Sequence, residues 1–226
     1  MLPLVRTRLA VALVAGVGVG LELALMRGLA IRFSSHFAGI VISIGLLGFG
    51  SAGSFLTLFR TAILKHQRGA LVGLAFGLAM ATPFTWWQSQ QAPLNVNFLA
   101  WSMSEIPHVL RIELLMLLPF FFAGAFIGIV LMDISARISG HYASDLAGSA
   151  AGGVGAVAAM NFLAVSQLLV VISLASFLAA ILLLRWRKVT HLGMAVAAVA
   201  GIGGLVYVMP SEPAPNPYKQ LTYARL

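Results

Sequence analysis

The sequence predicts an all-α protein: a polytopic transmembrane bundle of about seven helices packed through small residues. Hydrophobic residues make up 60% of the 226 positions and charged residues only 9%, whereas a soluble domain carries about 25% charged residues. The mean hydropathy is +0.98. Apolar segments of the length that a bilayer requires, about 20 residues, follow one another along the chain. These observations exclude a soluble domain and a disordered tail.

Seven apolar segments are separated by short polar or charged stretches. The boundary between the fifth and sixth segments contains no charge, only Asn161, Ser166 and Gln167. The 40 residues from Asp145 to Leu184 are twice the length of one span, which favours a tight hairpin. The predicted spans are residues 9–26, 37–59, 69–86, 112–132, 143–160, 167–184 and 192–209.

The basic residues between the spans predict the orientation. If the N-terminus lies on side one of the membrane, that side holds nine lysines and arginines and side two holds five. Cytoplasmic loops carry the excess of basic residues, so side one is expected to be cytoplasmic and the C-terminus extracytoplasmic. We expect an integral protein of the bacterial inner membrane. The basic residues are scattered, so their +8 net charge does not indicate a nucleic-acid partner.

Two segments outside the spans are distinctive. The connection 87–110 on side two is long and has tryptophans at and near its ends, Trp86, Trp87 and Trp101, which suit an interfacial aromatic belt. A connection of this length is expected to cover the mouth of the bundle. Residues 1–209 form the predicted membrane domain, and residues 210–226 form a proline-rich tail or linker.

Small residues recur at helical spacing within the predicted spans. Because lipid provides no hydrophobic drive between helices, close backbone approach must hold them together. Gly48, Gly124, Gly148 and Gly152 are the predicted helix-packing positions. The fifth span has so few large side chains that we expect it at the centre of the bundle, in contact with neighbours on several faces.

A polar cluster is predicted near the side-two surface, formed by Glu22, Arg27, Arg111 and Glu113, with Arg32 nearby. Glu22 and Arg27 lie about 140° apart around a helix, so each is expected to interact with another helix. One interpretation is a set of interhelical salt bridges that fixes the packing. The other is a site for a cationic or zwitterionic ligand, or a proton route, since ionisable groups inside membranes often mark function.

Tyr142 and Asp145 are predicted at the start of the fifth helix, as a helix-start element or a partner contact. An acid in the first turn interacts favourably with the positive end of the helix dipole. Asp133 and Arg137 have the spacing of an ion pair on the emerging fourth helix. No metal, cofactor or catalytic constellation is predicted: the chain lacks cysteine, and its five histidines form no local ligand pair.

Several motifs resemble the membrane half of multi-pass, spermidine-synthase-like proteins, in which a helical bundle precedes a soluble aminopropyltransferase-type domain. The resemblance covers essentially the whole chain, and its most specific parts are the Tyr-x-x-Asp-x-x-Gly-x-x-x-Gly stretch and the Pro-Tyr-Lys segment. The motifs are Glu22 with Arg27, the turn Phe33-Ser34-Ser35, the glycine-rich residues 45–51, Pro119 with Gly124, residues 142–152 and residues 216–221.

Two features depart from that family. The turn after Arg27 lacks the expected glycine until Gly39. The catalytic residues for decarboxylated S-adenosylmethionine and polyamine lie in the family's soluble domain and have no counterparts in these 226 residues. The resemblance therefore implies a membrane domain without aminopropyl transfer activity.

Three functions remain open. The first is a non-catalytic membrane module that anchors a soluble partner or belongs to a larger membrane complex, with the lipid bilayer and other protein subunits as its partners. The second is a transporter or channel for a small cation such as a polyamine, which would use Glu22 and Glu113. The third is an intramembrane enzyme, for which the spans provide no paired nucleophile and base.

Overall fold

A computed structural model describes residues 4–33, 36–91, 106–132, 138–184 and 203 of the chain. Within them the protein is all-α and has no strand. The six helices are α1 (Leu4–Arg32), α2 (His36–Lys65), α3 (Gln67–Gln91), α4 (Ile106–Met132), α5 (Ile138–Ala159) and α6 (Val165–Leu183).

Five of these helices, α1, α2, α3, α4 and α6, are long and apolar enough to cross a membrane. The chain is therefore an integral, multi-pass membrane protein. The expected all-α fold with several apolar helices is confirmed, whereas the expected number of seven spans is not. Helix α5 has 22 residues but is not among those five, because glycine, alanine and serine replace the large apolar side chains. The predicted span 192–209 lies outside the described residues except for Gly203, which is helical.

The helices extend beyond the predicted spans. Helix α1 continues through Arg27 to Arg32, and α4 begins six residues before the predicted start at residue 112. The predicted connection 87–110 is helical at both ends, so the connection is shorter than expected, and residues 92–105 lie outside the described part. The length of an apolar segment is therefore a minimum length for its helix. The backbone hydrogen bonds of the helix continue into the polar residues on either side of that segment.

The hairpin between the fifth and sixth segments is confirmed. Helix α5 ends at Ala159 and α6 begins at Val165, with a turn between them. In this turn the amides of Asn161 and Phe162 bond to carbonyls three residues earlier. The Gln167 side chain accepts a hydrogen bond from the Ala164 amide at 3.0 Å. This closes the start of α6 in place of a hydroxyl cap.

Helix α1 occupies the centre of the bundle and packs against α2, α4, α5 and α6. Fourteen of its 29 residues are buried. Among the described helices, α5 packs almost entirely against α1, and only its residues His141, Gly148 and Ala156 are buried. The prediction of a central fifth helix was wrong: among the described helices α1 is its one extensive neighbour, and most residues of α5 are not buried.

Large side chains fill the space between the helices. Trp86, Phe120 and Phe126 are the largest fully buried ones. The sequence predicts Trp86 in an interfacial belt, but this residue lies in the core, where its indole ring faces Gly28 of α1. Gly28 leaves the room for that ring, since a Cβ there would lie 2.6 Å from the indole Cη2.

Candidate functional site

The closest helix contact joins α1 to α5. A Cβ at Gly148 would lie 2.5 Å from the Cα of Ala12, and one at Gly152 would lie 2.5 Å from the carbonyl carbon of Gly16. Real Cβ atoms do not approach other heavy atoms this closely, so the two backbones touch only because both positions are glycine. The paired residues ascend together along the sequence, which makes the two helices parallel. Such contact is the main source of helix association in lipid.

A second glycine contact joins α2 to α4. A Cβ at Gly48 would lie 2.6 Å from the Phe120 Cβ, and one at Gly124 would lie 3.1 Å from the Phe49 Cα. These pairs also ascend together, so α2 and α4 are parallel. Thus all four predicted packing glycines, Gly48, Gly124, Gly148 and Gly152, lie at helix contacts.

Other glycines with the same sequence spacing do not lie at contacts. In the described part of the chain, a Cβ at Gly50, Gly53, Gly69, Gly73 or Gly155 would meet no atom within 4 Å. Small residues at helical spacing are therefore a necessary feature of these crossings but do not identify them.

The predicted polar cluster contains residues with separate structural roles. The Arg27 Nη1 donates a hydrogen bond of 2.6 Å to the carbonyl of Met160, just past the end of α5. The last carbonyls of a helix have no partner within it and carry its negative dipole end. Arg27 therefore stabilises the α5 terminus. Arg68 has the same role for α6, since its Nε donates to the Leu183 carbonyl at 2.8 Å.

Arg32 forms a buried polar contact that the sequence reasoning did not predict. Its side chain is 5% exposed. Nη1 donates to the Gln90 Oε1 at 3.0 Å and Nη2 donates to the Gln90 carbonyl at 2.8 Å. The guanidinium also lies 5.3 Å from the centre of the Phe33 ring, a cation–π distance. The sequence gives little indication of this contact, because Gln90 falls in the predicted connection 87–110, outside the predicted spans.

The acids of the predicted cluster do not join these arginines. Glu22 on α1 and Glu113 on α4 are half-buried, and Arg111 is exposed. Among the described residues, no ion pair connects Glu22, Arg27, Arg111 and Glu113. Glu22 lies about 6 Å from the midpoint of α1 by helical rise, and so within the expected hydrocarbon layer.

Asp145 does not lie in the first helical turn. Helix α5 begins at Ile138, and its first turn contains no acid. The prediction that Asp145 interacts with the dipole of α5 is therefore wrong, since the effect of the dipole on a charge fades within the first turn. Asp145 is half-buried and Tyr142 is 53% exposed, so Tyr142 remains available at the surface. Asp133 and Arg137 lie outside the described residues.

An apolar groove lies beside the α1–α5 contact. It has a volume of about 570 Å³ and runs between α5 and α6, with α1 as its floor. Gly16 and Gly20 form part of the floor, Ala151 and Gly155 line one wall, and Val171 lines the other. Val171 is 50% exposed, so the groove opens to the outside of the bundle.

The described residues offer no centre for metal chemistry. No group of three or more histidine, aspartate or glutamate side chains among them is placed to hold a metal ion. His141 is buried at 2% exposure, whereas His66 and His108 are exposed.

No family model, curated protein or solved structure matches this chain.

Proposed function

We propose that this chain is a non-catalytic integral membrane module, which anchors a soluble partner or serves as a subunit of a larger membrane complex. The observation that carries this proposal is that three arginines at helix ends bond to other parts of the same bundle. Arg27, Arg32 and Arg68 donate hydrogen bonds to backbone carbonyls or to Gln90, so they stabilise the bundle. The close glycine contacts between α1 and α5 likewise favour a structural role.

The test is purification of the untagged protein from its own membranes in a mild detergent. We expect a second protein to co-migrate through size-exclusion chromatography at a fixed ratio. The preparation is repeated with the Gly152→Leu variant. This variant should lose the partner if the partner binds to the surface that α1 and α5 form together. A chain that migrates alone in several mild detergents and after crosslinking in intact membranes would contradict the proposal.

The second candidate is transport of a small cation such as a polyamine. Glu22 supports it, because this half-buried carboxylate lies on the central helix and has no ion pair among the described residues. An acid in the hydrocarbon layer costs about 2.5–3.5 kcal/mol on insertion scales. Uptake of labelled spermidine into proteoliposomes tests this. Loss of uptake in Glu22→Gln and Glu113→Gln would favour transport, and equal uptake would exclude these two acids as the route.

The third candidate follows from the resemblance to spermidine-synthase-like membrane proteins. It proposes that these residues are the membrane half of a longer protein of that kind. The intact mass of the native protein tests it. A mass well above 23.9 kDa, with sequence beyond Leu226, would support this reading. A mass equal to that of the 226 residues would contradict it.

A further inference from the structure

The groove between α5 and α6 exists because α5 has no side chains long enough to close it. Ala147, Ala151 and Gly155 recur every fourth residue along the wall that α5 contributes. The opposite wall contains Val171 and Ala175 of α6. The lining is almost entirely apolar, so water would gain no hydrogen bonds there. In a bilayer the groove must be covered by lipid or by protein.

The dimensions of the groove favour a thin occupant. Its floor on α1 extends from Leu9 to Gly20, which corresponds to about 17 Å at the helical rise. The groove is open along one side and has a volume of about 570 Å³. An extended acyl chain is much narrower than a helix, which is about 10 Å in diameter, and fits along it.

A positive charge lies at the side-one end of the groove. The Arg8 guanidinium packs against Gly140 in the first turn of α5, where a Cβ would lie 2.5 Å from the Arg8 Cζ. Gly140 precedes Ala147 by seven residues, so both lie on the same face of α5. The Arg8 Nε is buried and has no hydrogen-bond partner, although the side chain as a whole is only half-buried.

We propose that the groove binds an anionic phospholipid from the leaflet at side one, with one acyl chain between α5 and α6 and the phosphate at Arg8. Basic pockets between transmembrane helices bind the headgroups of anionic lipids. The phosphate would pair with the charge of the half-buried Arg8 guanidinium, and the acyl chain would cover the glycine and alanine surface of α5. This inference goes beyond the proposed function and does not depend on it.

Native mass spectrometry of the detergent-purified protein tests the site with two defined lipids of equal chain length, phosphatidylglycerol and phosphatidylcholine. We expect tighter binding of phosphatidylglycerol. Arg8→Gln should reduce that preference about fivefold, the effect of one basic residue near an anionic surface. Arg60→Gln is the matched control, since Arg60 is exposed on α2 at the same side of the membrane. Equal loss in both variants would overturn the assignment to Arg8.

The acyl-chain site is tested separately. Gly155→Leu should fill the groove and lower the binding of both lipids. Gly53→Leu should leave binding unchanged, since both glycines face open space and only Gly155 lines the groove. Unchanged lipid binding in Gly155→Leu, with an unchanged melting temperature, would overturn the proposal. The chain has no cysteine, so a disulfide-linked dimer of the Gly155→Cys variant in membranes would instead identify a second copy as the occupant.

Discussion

Gly152 rests directly on the backbone of Gly16, so the central helix α1 and the outer helix α5 meet without an intervening side chain. Gly148 and Ala12 repeat this contact one turn away. Helix α5 has little contact with the other described helices, and its position relative to them therefore depends on these glycines.

Substitution of Gly152 by leucine should displace α5. The contacted atoms belong to a helix backbone and cannot yield locally as a flexible side chain can, so α5 must move away as a whole. We therefore expect a loss of stability at the upper end of the range for overpacking, about 1–3 kcal/mol. Unfolding in mixed micelles measures the change. Gly53→Leu is the control, because Gly53 faces open space. Equal stability of the two variants would contradict the α1–α5 contact.

Gly28 and Trp86 should be energetically coupled. A Cβ at Gly28 would lie 2.6 Å from the indole ring, so Gly28→Ala should destabilise the fold by about 1–3 kcal/mol. In a Trp86→Leu background the same change should cost clearly less, since the ring is gone. A double-mutant cycle measures this coupling, and strictly additive effects would argue against the contact.

Replacement of Arg27 by methionine should weaken the end of α5. The variant loses the hydrogen bond to the Met160 carbonyl and the charge at the negative end of the dipole. Because Arg27 is exposed, we expect a modest loss of about 0.5–1 kcal/mol. Hydrogen exchange of the Asn161 and Phe162 amides should rise in Arg27→Met but not in Arg60→Met. Unaltered exchange would count against a capping role.

Glu22→Gln should preserve the fold and equal or exceed the parent in stability. The carboxylate has no ion pair among the described residues, and removal of a charge from the hydrocarbon layer lowers the cost of insertion. Thermal unfolding in detergent measures the difference. A clear destabilisation would mean that Glu22 has a partner in the assembled membrane protein.

Much of the secondary structure could be predicted from the sequence. The turn between α5 and α6 could be located without any charge to mark it, because the 40 residues from Asp145 to Leu184 are twice the length of one span. Helix ends were less predictable. Arg32 and Gln90 were assigned outside the spans, yet they lie on helices and bond to each other. Hydropathy identifies the residues that can lie in the hydrocarbon layer. It gives no information about how far a helix continues beyond that layer.

Composition and hydropathy by themselves determined that this is a multi-pass helical membrane protein, because only long apolar helices satisfy the backbone within lipid. The tertiary structure alone decided that α1 is central and α5 peripheral, which glycines touch a neighbour, and which carbonyls the arginines bind. The reason is physical: a transmembrane helix is apolar on its buried and its lipid-facing sides alike, so periodicity does not reveal the packed face. Gly152 and Gly53 look equivalent in the sequence until Gly16 is found against one of them.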